Sequence, residues 1–148
     1  MLPTALFASM HHLLAFLVIS LLAMELALVK QGLTGPQLRL ISRIDLAYGA
    51  GFGVLVLIGI ARVIWFEKGP EFYMASPAFW AKMAALVLVT GLSLPPTFRY
   101  IRWGRSHRAD AGFLPAPAEI HTLRLWLWTE AAVLALVPPL AALMARGF

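Results

Sequence analysis

Cysteine is absent from the chain, which removes disulfides, thiolate catalysis, iron–sulfur clusters and cysteine-ligated zinc in one step. Histidine, carboxylate, lysine and methionine are the ligands that remain for a metal or cofactor. Charge is scarce as well. Asp, Glu, Lys and Arg supply 13% of the 148 residues against 61% hydrophobic, whereas an ordinary globular chain is roughly a quarter charged. Water is therefore not the solvent for most of this surface. The length leaves no room for a separate soluble domain beside the long apolar runs, so a single membrane domain over residues 1–148 is expected, with any chemistry between its helices. The first apolar run lacks a basic flank and continues to Lys30, well past the about 7–15 apolar residues of a secretory signal, so it is expected to be a retained helix. No low-complexity tract or convincing internal repeat is present.

Four apolar runs each reach the roughly 20 residues that cross a bilayer. The expected fold is all-α, an integral membrane four-helix bundle with spans at about 4–29, 37–66, 77–103 and 119–145. Lys30 to Pro36 forms the first turn, and the segment Glu67, Lys68, Gly69, Pro70, Glu71 the second. Ser76-Pro77 offers an N-cap and first-turn proline for span 3. A polar loop from Gly104 to Ala118 is expected to be the longest and most mobile segment. Pro95-Pro96 and Pro138-Pro139 should kink spans 3 and 4, because each proline removes a backbone donor and crowds the preceding turn.

The net charge of +5 could suggest nucleic acid, but the basic residues flank apolar spans and form no stripe interleaved with aromatics, so no nucleic-acid partner is expected. Membrane orientation explains them instead. Lys30, Arg39, Arg43, Arg99, Arg102, Arg105, Arg108 and Arg124 fall on one side, with Arg62, Lys68, Lys82 and Arg146 on the other. Positive-inside reasoning then places both termini outside the cytoplasm. Trp65, Tyr73 and Trp80 fit an outer aromatic belt; Tyr100, Trp103, Trp126 and Trp128 lie nearer the inner one. Gly49 and Gly53 form a Gly-x-x-x-Gly pattern whose plainest meaning is close helix packing.

Ionisable side chains inside hydrocarbon are costly unless paired, hydrated or snorkelling. Alternating direction brings residues early in span 1, late in span 2 and early in span 3 to one outer level, which gathers His11, His12, Arg62 and Lys82. On span 2, Asp45, Tyr48, Phe52, Leu55, Gly59 and Arg62 recur at steps of three and four and share one face. His11 and His12 lie about 100° apart on a helix, so only one is expected to point inward. A neutral imidazole can ligate iron, and helical bundles accommodate haem; a lone buried histidine also serves as a hydrogen-bonding core residue. His107 and His121 belong to the inner side, so bis-histidine ligation within one chain is not expected. Arg62 and Lys82 suit porphyrin propionates or a substrate carboxylate, or else they snorkel. Glu130 falls near mid-membrane, where it must be protonated or paired, and either state suits a proton relay. Glu25, Arg43 and Asp45 form an inner set read as structural charge pairing. Arg99, Arg102, Arg105 and Arg108 read as topology determinants that meet anionic headgroups.

The runs Arg43-Ile44-Asp45-Leu46-Ala47-Tyr48-Gly49, Arg62-Val63-Ile64-Trp65-Phe66-Glu67-Lys68-Gly69 and Phe79-Trp80-Ala81-Lys82-Met83 resemble domain-of-unknown-function family 2214 of predicted bacterial membrane proteins, a name that implies no activity. More distantly, His11 or His12 in span 1, Trp80 with Lys82 opening span 3, and Glu130 in the last span resemble the HemJ family of four-helix protoporphyrinogen oxidases. That likeness implies a b-type haem or porphyrin site. The chain departs from that pattern at Leu94-Pro95-Pro96, where polar and histidine residues are usual, and at Thr129, which replaces an Asn before Glu130.

The leading expectation is a small haem b- or porphyrin-binding membrane redox protein of the HemJ type. His11 or His12 would ligate iron, His11, His12, Arg62 and Lys82 would hold the cofactor, and Glu130 with Lys82 would serve the chemistry. A porphyrin or quinone is the expected small-molecule partner, beside the lipid bilayer. The rival expectation is a non-catalytic structural or assembly subunit, present as a homo-oligomer or within a larger membrane complex. A transporter is less supported, because no paired broken helices are evident.

Overall fold

The computed structural model describes residues 2–66 and 68–148; Glu67, part of the expected second turn, lies outside them. Among the described residues six α-helices follow in order: α1 (Leu2–Leu28), α2 (Gly35–Ala61), α3 (Pro70–Met74), α4 (Pro77–Ala109), α5 (Pro117–Leu134) and α6 (Val137–Ala145). A π-helical turn over Arg62–Phe66 extends α2. No strand occurs among the described residues. The fold is thus all-α, and four of its helical segments are long and apolar enough to cross a membrane: Leu2–Leu28, Gly35–Phe66, Pro77–Ala109 and Pro117–Ala145.

Local sequence sets the ends of these helices. Thr34 precedes the first turn of α2, and the Gln37 side chain reaches back to accept from its N–H at 2.8 Å, with Pro36 inside that turn where a missing donor costs nothing. Ser76 Oγ accepts from Phe79 N at 3.2 Å and Pro77 opens α4, as the dipeptide predicts. The two proline pairs behave differently. Span 4 breaks at Ala135–Leu136, just before Pro138-Pro139, because those prolines leave the carbonyls one turn earlier without donors. Pro95-Pro96 instead sits within an unbroken α4.

Two expected boundaries move. Helix α4 runs six residues past Trp103, which shortens the expected Gly104–Ala118 loop to the stretch between Ala109 and Pro117. Pro70–Met74 forms a short helix inside the second connection.

Helix α1 packs on α2, α2 on α4, α4 on α5 and α6, and α5 back on α1, closing the ring of a bundle. The core includes Val18, Leu22, Ile41, Val89, Leu123 and Leu127. Many large apolar side chains point outward, among them Leu13, Phe16, Leu57, Val87 and Phe98. An apolar exterior of this extent is a liability in water and the natural surface against lipid tails.

Candidate functional site

The bundle axis is polar where a soluble bundle would be apolar. Glu25 and Glu130 are each 1% exposed and Asp45 9%, and every one of these carboxyls accepts from a hydroxyl. Tyr48 donates to Glu130 Oε1 at 2.6 Å, Thr97 to Asp45 Oδ1 at 2.8 Å, and Tyr100 to Glu25 Oε2 at 3.0 Å. The Tyr48–Glu130 bond joins α2 to α5 and the Tyr100–Glu25 bond joins α4 to α1, so the two cross the centre of the ring on its diagonals. Such bonds offset part of the cost of burying carboxyl groups. The pairs descend as a column: Tyr48 stands near the middle of α2 and Glu130 near the middle of the fourth span, toward the end of α5, Asp45 lies about one turn nearer the start of α2, and Glu25 lies in the last turn of α1. Glu25 Oε1 is buried without a hydrogen-bond partner.

At the end of the bundle expected to be the inner one, Glu119 gathers three side chains from one face of α4. Arg102 pairs with its Oε1 at 2.5 Å, Trp103 Nε1 donates to Oε2 at 3.3 Å, and Arg99 donates to its carbonyl at 3.0 Å. Arg124 donates from α5 to the carbonyls of Leu26 and Val29, at 3.0 and 2.5 Å, where α1 ends. A cation there also meets the negative end of the helix dipole.

A second polar set lies near the outer end. His11 turns into the bundle against Gly59, where a Cβ would stand 3.3 Å from its Cε1; the glycine makes room for the ring. The backbone of Leu55 and the side chains of Lys82 and Arg62 lie near the His11 ring. Its Nδ1 is buried with no hydrogen-bond partner. His12 is exposed on the other side of α1 and binds its own helix, Nδ1 lying 2.6 Å from the Ala8 carbonyl. Of the adjacent histidines, His11 is the inward one.

Of the residues expected at one outer level, His11 lies near Arg62 and Lys82 while His12 faces away from the bundle; Glu130 lies deeper, at a level of its own. Two to three turns of α2 separate Tyr48, which holds Glu130, from Leu55 and Gly59, which hold His11; that is roughly 10–16 Å at about 1.5 Å per residue. Tyr48 and Phe52 lie between these levels with rings 6.2 Å apart.

Several other expectations are corrected. Arg43 does not pair with Glu25 or Asp45, which accept instead from the Tyr100 and Thr97 hydroxyls; its side chain is exposed and lines a cleft between α2 and α4. Tyr100, Trp103 and Tyr73 are buried and are not interfacial anchors, whereas Trp65 and Trp80 are exposed as an outer belt requires. Arg99 and Arg102 are held by Glu119. Gly49 and Gly53 meet nothing within 4 Å of where a Cβ would stand, so they mediate no close packing within the chain. The hydroxyl partners had a legible signal only in Tyr48, which shares the span 2 face with Asp45.

Comparison with curated proteins and with solved structures returned no match. The family described as predicted membrane protein, DUF2214, matches residues 3–148. That match spans nearly the whole chain and includes all four spans, His11, the hydroxyl–carboxyl column and the inner arginines, and the chain belongs to this family of predicted membrane proteins.

Proposed function

We propose that this membrane protein is a small redox protein that holds a porphyrin or haem b at its outer polar set and moves protons along its inner column. The observation that carries the reading is His11: a buried imidazole nitrogen without a partner, beside two cationic side chains. That donor set suits an anionic porphyrin: His11 would ligate the iron, and Arg62 and Lys82 would hold carboxylates of the group. His11 is the inward one of the two adjacent histidines, so in this reading the iron would be held by His11. When bound, the haem would supply one-electron chemistry. The chain's own residues would supply orientation, through His11 and Gly59, and proton storage, through Glu130, Asp45 and Glu25 with their hydroxyl partners.

The likeness of His11, Trp80, Lys82 and Glu130 to the HemJ family supports the same reading and makes a protoporphyrinogen-oxidase-type reaction its most specific form. Glu130 then serves as the first proton acceptor of the column and not as a contact of the porphyrin. The inner arginines support a bacterial inner-membrane orientation with both termini periplasmic. Separate replacement of His11 and His12 by Ala tests the site: His11→Ala should purify without haem and His12→Ala with it. Equal haem content in both variants and the parent would refute the assignment.

A second reading rests on a different observation. Gly49 and Gly53 form an exposed notch on α2 with open space above both, the surface that a helix of another chain could approach closely. A subunit or assembly role in a larger complex would use that face.

A further inference from the structure

Six of the seven arginines expected on the inner side fall into two groups, with Arg105 outside both. Arg99, Arg102 and Arg124 are committed to Glu119 or to backbone carbonyls. Arg39, Arg43 and Arg108 make no ion pair with a carboxylate among the described residues. These three line one cleft of about 240 Å³ between the start of α2 and the end of α4, together with Ser42, Gly104 and His107. Their spacing explains the convergence. Arg39 and Arg43 are four apart on α2, and Gly104 and Arg108 four apart on α4, so each pair shares a helix face.

No carboxylate lines the cleft. Three permanently charged guanidinium groups around one hollow repel one another unless an anion sits between them. Further polar groups face the same place. The Ser42 hydroxyl donates to the Leu38 carbonyl at 3.0 Å and keeps its lone pairs. His107 Nδ1 is buried with no hydrogen-bond partner. The ring of His107 occupies the space where a Cβ on residue 35 would stand, with Cε1 2.5 Å from that position, so Gly35 is what lets the imidazole lie against α2. Gly104 has nothing within 4 Å of its own Cβ position and leaves the hollow open.

We infer that this cleft is a binding site for a phosphate-bearing anion, gripped by Arg39, Arg43 and Arg108 and oriented by His107. Guanidinium forks match phosphate oxygens in pairs, which gives both strength and geometry. The start of α2 and the end of α4 are ends of membrane-spanning helices, which reach the headgroup level, so two sources share this chemistry: an anionic phospholipid headgroup and a soluble phosphate or diphosphate. The site is independent of the haem reading, which uses the other end of the bundle.

The test uses the full chain purified in neutral detergent, followed by thermal unfolding during titration with phosphatidylglycerol, phosphatidylcholine or sodium pyrophosphate. Saturable stabilisation by phosphatidylglycerol and not phosphatidylcholine supports the headgroup; saturation by pyrophosphate supports the soluble anion. In either arm the double variant Arg43→Gln, Arg108→Gln should bind about tenfold or more weakly, since each charge-assisted contact is worth more than a factor of ten. Arg105→Gln, outside the cleft, should bind as the parent does. If the double variant does not fold, Gly104→Leu blocks the hollow while keeping every charge and should weaken binding likewise. Absence of saturable stabilisation by either anion, or parental affinity in a folded cleft variant, overturns the proposal.

Discussion

Tyr48→Phe removes one oxygen from the centre of the bundle and leaves the ring in place. That oxygen donates to Glu130 at 2.6 Å, and Glu130 is 1% exposed with no other hydrogen bond among the described residues. The variant therefore leaves a buried carboxyl without its donor. A buried polar group stripped of its partner costs about 1–3 kcal/mol, toward the upper half where the acceptor is charged. For a chain of this length each kcal/mol lowers Tm by about 2–4 °C, so a fall of about 2–12 °C is expected. Tyr100→Phe should cost less, because its bond is longer, 3.0 Å, and Glu25 already has one unpartnered oxygen. The decisive comparison is a double-mutant cycle with Glu130→Leu, which removes the carboxyl and strands the tyrosine hydroxyl instead. Removing both partners together can be nearly neutral, so the double variant should be more stable than the sum of the single effects by about 1 kcal/mol or more. Unfolding in mixed micelles, by scanning fluorimetry and by denaturing-detergent titration, reads both quantities. Parental stability of Tyr48→Phe, or strict additivity in the cycle, would refute the argument that the bundle is held on its diagonals.

Three further outcomes follow from the same geometry. Arg124→Ala should lose about 1.5–3 kcal/mol, the worth of hydrogen bonds from a charged group, with faster amide exchange in the turn after α1, because its guanidinium holds the carbonyls of Leu26 and Val29. Arg102→Ala should cost less than about 1 kcal/mol, since its pair with Glu119 is exposed, 60% and 33% for the two side chains, and such pairs contribute little. Gly49→Leu should leave the stability of the isolated chain unchanged, because open space lies above that glycine; loss of an oligomer or co-purifying subunit on size-exclusion chromatography would identify the notch as an interface, and marked unfolding would contradict the assigned packing.

The membrane fold was legible because it rests on long apolar runs, and the helix ends at Gly35–Pro36 and Ser76-Pro77 because capping depends on a few adjacent residues. The outer polar set was legible for a similar reason: alternating threading fixes depth from sequence position alone, and depth sufficed to gather His11, Arg62 and Lys82. Which histidine faces inward depends on the rotation of α1, and only the room left by Gly59 decides it. The inner column was hidden because diagonal pairing sets Tyr48 beside Glu130 and Tyr100 beside Glu25, pairs separated by 82 and 75 positions. Charge balance suggested that Arg43 would neutralise Asp45 and Glu25; adjacency of numbers concealed that Arg43 lines a cleft between α2 and α4. Depth likewise placed Tyr100 and Trp103 near an interface without revealing that α4 turns both into the core.

Haem binding at His11 is tested most directly by an oxidised-minus-reduced visible spectrum of the full chain purified in mild detergent, with a pyridine haemochrome assay for stoichiometry. The account predicts a b-type spectrum at about one haem per chain, the loading that a single inward histidine allows. A well-folded, colourless protein that takes up neither haem nor protoporphyrin when they are added would contradict it.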